Sequence, residues 1–232
     1  DSRGYFDGIN KVILAELAEQ FVSRDIDLLI FPGDLISGMH SDDLFEAQLR
    51  IWTQVMAPVY NAGIAVYVGR GNHEIADNWA SDPVSDPSAT YAQNWLNVFG
   101  NDSDPNLKLP ANGPAGEEYM TYSVTHKNAL IVMLDHYGGL RHWPNHRINQ
   151  TWLDAQLAAN TKPHIFVTAH EPAFKAKNRI GVDLYPEERD AFWASLANSG
   201  ARVFFAGHDH FFNHARIDDG NGDPDDDVHQ YI

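Results

Sequence analysis

The stretch that decides the fold reads Ile26-Asp27-Leu28-Leu29-Ile30-Phe31 and is stopped at once by Pro32-Gly33-Asp34. An apolar run this short, lying between longer helical patterns, is typical of a strand that is buried on both faces. Similar runs recur at residues 64–68, 164–168 and 202–205. The sequence therefore predicts an α/β protein with buried central strands.

Helical patterns separate these runs. Helices are predicted at residues 8–20, 42–60, 91–98, 148–159 and 186–198. Residues 120–124 and 129–134 read as two paired strands around the turn His126-Lys127-Asn128, and residues 228–232 begin a further strand. Strands that alternate with helices, together with one antiparallel pair, favour an α/β sandwich.

The composition excludes several classes of protein. The 232 residues fit one large domain, and no apolar stretch approaches the roughly 18 residues that a membrane span requires. The chain has no cysteine, so any metal must be held by His, Asp, Glu or Asn. Lys and Arg total 16 and Asp and Glu total 32, which gives a net charge of -16. This charge disfavours nucleic acid as a partner but does not exclude a small phosphate ester at a cationic site.

Side chains of metal-ligand type follow four of the predicted strands where each ends. They are found in Gly33-Asp34, Gly71-Asn72-His73-Glu74, His170-Glu171 and Gly207-His208-Asp209-His210. In open α/β sheets ligands bind beyond the carboxyl ends of the strands, so we expect these side chains to meet. Imidazole together with carboxylate suits Zn, Mn or Fe better than Ca or Mg. The sequence therefore predicts a metal centre at the strand ends.

In order and rough spacing these motifs resemble those of the calcineurin-like metallophosphoesterases, a superfamily that includes the purple acid phosphatases. The resemblance covers nearly the whole chain, and it implies a four-layer αββα sandwich of two mixed β-sheets flanked by helices. It also implies a centre of two metal ions (Mn, Fe or Zn) that hydrolyses phosphate mono- or diesters by metal-activated water. Residues 1–232 are then a single domain, expected to lack a first strand at the N-terminus and to continue past the C-terminus.

The resemblance also implies roles for single residues. Asp34 matches the carboxylate that bridges both ions. His73 matches the histidine that contacts the substrate phosphate and is assigned as the acid for the leaving group. The remaining matched ligands are Asn72, His170 and His208 for one ion and His210 for the other. Asn72 is expected to contact the substrate as well.

One piece departs from the family pattern. The family opens with Asp-x-His, whereas this chain reads Asp1-Ser2-Arg3. Asp1 remains a candidate ligand, but a guanidinium has no lone pair for a metal. The first metal position is left with Asp1, Asp34 and His210, and we expect it to bind metal weakly, to use other groups or waters, or to be empty. Arg3 becomes a candidate catalytic and substrate-binding residue, since its fork of donors fits a phosphate, or else it pairs with a surface acid.

Several further residues have two readings. His136 and Tyr137 also follow a predicted strand and either line the substrate pocket or pack in an ordinary loop. His40 and His142 are candidates for reaching the substrate from loops. Arg70 either touches phosphate or pairs with an acid.

Other features leave the function less defined. Residues 218–227 carry six acids and read as a solvated hairpin rather than a calcium loop. The alternative functions are a non-catalytic, metal-stabilised binding protein on the same fold and a nuclease-type phosphodiesterase. The acidic, cysteine-free chain favours an exported protein over a cytoplasmic one, and the sequence predicts no oligomeric state.

Overall fold

The computed structural model describes residues 2–4, 7–38, 42–75, 89–100, 104–140, 146–175 and 180–232, without the side chains of residues 42, 43, 89 and 90. The helices are α1 (Lys11–Ser23), α2 (Asp42–Val55), α3 (Ala57–Asn61), α4 (Ala89–Phe99), α5 (Gln150–Ala159) and α6 (Pro186–Ser199). The strands are β1 (Leu28–Phe31), β2 (Ala65–Val68), β3 (Tyr122–His126), β4 (Ala129–Leu134), β5 (His164–Ala169), β6 (Val203–Phe205), β7 (His214–Ile217) and β8 (Val228–Tyr231). Two short 3₁₀ turns lie at Asn72–Glu74 and Val182–Leu184.

These strands form two sheets. The smaller sheet pairs β1 with β2 in parallel. The larger sheet has the order β3-β4-β5-β6-β8-β7, in which β4, β5, β6 and β8 run parallel while β3 and β7 are antiparallel to their neighbours. The prediction of two sheets flanked by helices is confirmed, and within the described residues the mixed sheet is the larger one.

The two sheets pack face to face with helices outside them. Successive side chains of a strand point to opposite faces, so β4 contributes to two hydrophobic cores. Leu130, Val132 and Leu134 pack with residues of α5 and α6. Met133 lies in the other core, with residues of β2 and of helices α1 to α4. Tyr122 links the sheets directly, because its hydroxyl donates a 2.8 Å hydrogen bond to the carbonyl of Val68.

Two elements differ from the sequence-based expectation. The helix predicted at residues 42–60 is broken: α2 ends at Val55, and α3 begins at Ala57 with a proline in its first turn. Proline has no backbone N–H to continue a helix, whereas the first turn needs none. Strand β7 was not predicted, since half of its four residues are polar and it lies at the edge of the sheet.

The acidic run at residues 218–227 connects β7 to β8, which are antiparallel, so it forms a hairpin loop as predicted. Carboxylate oxygens of Asp218, Asp219 and Asp227 lie within 4.8 Å of one another there, and the first two residues are exposed. Within the described part of the chain, no helix is long and apolar enough to cross a membrane.

Candidate metal centre

The predicted ligands lie on loops that leave the carboxyl ends of strands in both sheets. Asp34 follows β1, the Asn72–Glu74 turn follows β2, His170 directly follows β5, and a loop with two histidines follows β6. The sheets meet at these loops, because His170 Nδ1 lies 3.2 Å from the carbonyl oxygen of Pro32. Parallel strands place their carboxyl ends at one edge, so loops distant in sequence come together.

Four ligand-type atoms converge in these loops. His170 Nε2 lies 3.3 Å from Asp34 Oδ1 and 3.1 Å from Asn72 Oδ1. His208 Nδ1 lies 3.0 Å from the same oxygen of Asn72. Donors about 2.1 Å from one ion lie about 3.0 Å apart at octahedral angles and about 3.4 Å apart at tetrahedral angles. The measured separations therefore fit the ligands of one metal ion.

The tautomer of His170 agrees with this fit. Its Nδ1–H donates to the Pro32 carbonyl, which leaves the lone pair of a neutral ring on Nε2. Burial lowers the pKa of His170 and favours the neutral ring, although the charge of Asp34 opposes this shift. Nε2 then faces the oxygens of Asp34 and Asn72 as a third acceptor, and a cation satisfies such a set.

A second cluster surrounds the guanidinium of Arg3. Its Nε lies 3.4 Å from Asp34 Oδ2, a buried oxygen that accepts no hydrogen bond from the residues that the structure describes. Its Nη1 and Nη2 contact the Nε2 atoms of His73 and His210. His73 Nδ1–H donates a 2.6 Å hydrogen bond to the Ser37 carbonyl, so Nε2 is the accepting nitrogen of that ring. Asp34 thus shares its two oxygens between the two clusters.

The carboxyl of Asp34 is held in its charged form. Burial by itself raises its pKa, but the charges of His170, His73 and Arg3 and a hydrogen bond from the His73 backbone together lower it below its ordinary value. The carboxyl is therefore ionised, which is the form whose oxygens can bind a metal ion.

Glu74 fixes the two loops that carry these residues. It is fully buried, and its Oε2 accepts hydrogen bonds from the backbone N–H groups of Asp34 at 2.9 Å and Gly71 at 2.6 Å. Its Oε1 accepts from Ile36 N–H at 3.1 Å. Burial and the neighbouring charge of Asp34 raise the pKa of Glu74. No role was predicted for this residue, although a carboxylate three positions after glycine at the start of a turn is a capping signal.

Three residues of this site have a left-handed backbone. Asp34, His208 and His210 have positive φ angles of 55°, 69° and 54°. Such angles are uncommon for residues other than glycine, and strain of this kind clusters at functional sites. Alternate residues of a strand face the same way, so His208 and His210 would do so if β6 continued through them. Strand β6 instead ends at Phe205, and the left-handed turns direct His208 towards Asn72 and His210 towards Arg3.

The sequence profile of the calcineurin-like phosphoesterases matches residues 3–212. The chain belongs to this family. No curated protein sequence matches it.

Three solved structures share the family fold. A purple acid phosphatase from yellow lupin (Lupinus luteus) seeds gives a TM-score of 0.62 at 16% identity, over 88% of this chain and 35% of that one. A dimetal phosphatase from Danio rerio gives a TM-score of 0.67 at 17% identity, over 99% of this chain and 78% of that one. PhoD gives a TM-score of 0.64 at 13% identity, over 100% of this chain and 53% of that one. At these identities the likeness shows the fold alone. The chain spans only about a third of the lupin enzyme and about half of PhoD.

Behind the centre of this calcineurin-like phosphoesterase lies a buried layer around Glu171. His136 is 1% and Tyr137 0% exposed. His136 Nδ1 accepts a 3.3 Å hydrogen bond from the Glu171 backbone, and Glu171 Oε1 lies 2.7 Å from Nδ1 of His146, a residue that was not predicted. Burial alone would raise the pKa of Glu171, but the hydrogen bond and charge of His146 lower it to about 2. The role of His136 and Tyr137 in substrate binding stays a prediction, and both side chains lie in this core.

Of the two roles considered for Arg70, contact with phosphate or pairing with an acid, the structure shows the ion pair. Its Nε and Nη2 donate to the carboxylate of Asp135 at 3.0 and 2.6 Å, and both side chains are fully buried. Three candidate residues, Asp1, His40 and His142, lie outside the described part of the family fold. Their roles stay predictions.

Proposed function

We propose that this chain is a metal-dependent phosphoesterase that hydrolyses phosphate mono- or diesters with metal-activated water. The observation that carries the proposal is the convergence of donor atoms from Asp34, Asn72, His170 and His208, at separations of 3.0, 3.1 and 3.3 Å. A metal ion held there supplies Lewis-acid polarisation of a phosphoryl oxygen and lowers the pKa of a water. Mn, Fe or Zn suits a donor set of imidazole, amide and carboxylate.

The remaining chemistry belongs to the side chains next to this donor set. Arg3 carries a permanent positive charge, and its side chain is 16% exposed, so it can be reached by an anionic substrate. Its fork geometry fits two oxygens of a phosphate group. The hydrogen bond to the Ser37 carbonyl orients the ring of His73, and its Nε2 lies beside Arg3. A group that exchanges a proton with the leaving oxygen needs a fixed orientation of this kind.

The family supports phosphoesterase chemistry in general, and the charge balance supports a small substrate. The net charge of -16 repels a long polyanion, while the cationic centre attracts a single phosphate group. A nucleic-acid substrate is therefore the less favoured reading.

The test is the turnover of p-nitrophenyl phosphate and bis(p-nitrophenyl) phosphate by protein stripped with a chelator and reloaded with Mn²⁺, Fe²⁺ or Zn²⁺. We expect turnover only after reloading. His170→Ala should lower kcat by at least about 100-fold, because losing a ligand costs more than losing a group that orients one. The matched control is His164→Ala, an exposed histidine at the other end of the same strand, which should behave like wild type. Full metal occupancy without turnover of either ester would instead favour a non-catalytic binding protein.

A further inference from the structure

The two oxygens of Asp34 face different kinds of cation partner. Oδ1 lies 3.3 Å from His170 Nε2, in the donor set that fits a metal ion. Oδ2 is buried, accepts no hydrogen bond within the described part of the chain and lies 3.4 Å from Nε of Arg3. A carboxylate bridges two ions either with one oxygen for each or with a single shared oxygen, and it then needs a second ion beside it. Here the second oxygen faces a guanidinium.

The donor atoms around Arg3 do not fit a second metal ion. Apart from Asp1, the first metal position would draw on Asp34 and His210, and both face the guanidinium. A guanidinium stays protonated and offers no lone pair, so it repels a metal ion and cannot bind one. This distinguishes the chain from its structural neighbour in Danio rerio, which is described as a dimetal phosphatase.

Arg3 is held in this position by the backbone next to it. Ser2 N–H donates to the Asp34 carbonyl at 3.1 Å, and Ser2 Oγ donates to the Leu35 carbonyl at 2.7 Å. Trp52 Nε1–H donates in turn to Ser2 Oγ at 3.0 Å. Ser2 and Trp52 are buried, so the segment before Arg3 is fastened to the loop that carries Asp34. The guanidinium therefore belongs to the site and is not a surface side chain that happens to reach it.

We propose that the Arg3 guanidinium takes the place of the first metal ion, so that this chain holds one metal ion, at Asp34, Asn72, His170 and His208. Arg3 supplies the positive charge beside Asp34 Oδ2 and the donors for phosphoryl oxygens, but no Lewis acidity. The phosphate-binding part rests on the proposed function, while the metal count stands independently of it.

The test counts metal ions per chain by mass spectrometry of the elements, after the full chain is reloaded with excess Mn²⁺ and freed of unbound ion. We expect about one ion in wild type, with the electron paramagnetic resonance spectrum of an isolated ion. Arg3→His restores an Asp-x-His sequence and should raise the count to about two, with exchange coupling between the ions. The matched control is Arg24→His, at an exposed residue after α1, which should leave the count at one.

Two outcomes would overturn the inference: two ions in the wild-type chain, or a folded Arg3→His variant that still holds one. If circular dichroism shows that Arg3→His does not fold, Arg3→Ala replaces it. Removing the guanidinium then opens Asp34 and His210 to an ion, and an unchanged count would contradict the proposal.

Ester turnover in the same samples separates the two proposals. One ion without turnover supports the inference and refutes the proposed function. Two ions with turnover support the proposed function and refute the inference. A chain that binds no ion refutes both the inference and the proposed function.

Discussion

Glu74→Ala removes the carboxylate that accepts hydrogen bonds from the N–H groups of Asp34, Gly71 and Ile36. Two of these groups lie on the loop after β1 and one on the loop after β2. All three residues are buried, so the N–H groups would lose their acceptor away from bulk water. The variant should therefore lose both stability and the alignment of the two loops.

The magnitude follows from the number of donors. A buried N–H that loses its acceptor costs about 1–3 kcal/mol, so three independent losses would cost about 3–9 kcal/mol. Water can enter the volume left by the carboxylate, which places the expected loss at about 3–5 kcal/mol. Such a loss is a large share of the about 5–15 kcal/mol by which a domain is normally stable. Glu74→Gln keeps one acceptor oxygen and should lose about 2–3 kcal/mol.

Urea unfolding of chelator-treated protein, followed by tryptophan fluorescence, measures this loss without a contribution from bound metal. The matched control is Glu19→Ala on the exposed face of α1, expected to change the unfolding free energy by less than about 0.5 kcal/mol. A loss below about 1 kcal/mol in Glu74→Ala, with the control unchanged, would refute the reasoning, because the loops would then be held by other contacts.

Three further changes test other contacts. Arg70→Ala leaves the buried carboxylate of Asp135 without its counter-ion and should lower the unfolding free energy by about 3–5 kcal/mol; a loss under about 1 kcal/mol would contradict a buried pair. Tyr122→Phe removes the 2.8 Å hydrogen bond between the sheets and should cost about 1–2 kcal/mol in urea unfolding, with an unchanged m value. Gly71→Ala would place a Cβ 2.2 Å from Asp34 Oδ1, so calorimetry should show Mn²⁺ affinity lowered about 10-fold or more; unchanged affinity would mean that the carboxylate can move away.

The fold was readable from the sequence where apolar runs are continuous. Residues 28–31 of the predicted run 26–31 form β1, and residues 65–68 of the run 64–68 form β2. The expectation that the first strand is buried on both faces was wrong, because all four residues of β1 are only partly buried. Strand β7 has no such run: His214 and Arg216 are exposed at the edge of the sheet, and its pairing depends on β8 rather than on its own pattern. Tertiary context of this kind is not contained in a local window.

The sequence predicted where the site lies but not all of the contacts within it. Parallel strands bring their carboxyl ends together, so the strand-end rule alone indicated that the candidate ligands would meet. The position of Arg3 between His73 and His210 could not be derived in this way. Arg3 is separated from these histidines by 70 and 207 positions in the sequence. The contacts of Glu74 with Asp34 and Ile36 were equally hidden, because they are made to backbone groups, which every residue type carries. Only its local contact with Gly71 had a sequence signal.

The left-handed backbone at His208 and His210 also limits how the centre can vary. A replacement must offer a lone pair, to the proposed metal ion at position 208 and to the Arg3 guanidinium at position 210, and must tolerate a positive φ. These two demands select different residue types. Glutamate and glutamine meet the first but gain nothing from the left-handed turn, and threonine is hindered there by its branched Cβ. Asparagine and aspartate meet both. Few substitutions at these two positions would therefore keep both the lone pair and the loop conformation, and they are those to asparagine and aspartate.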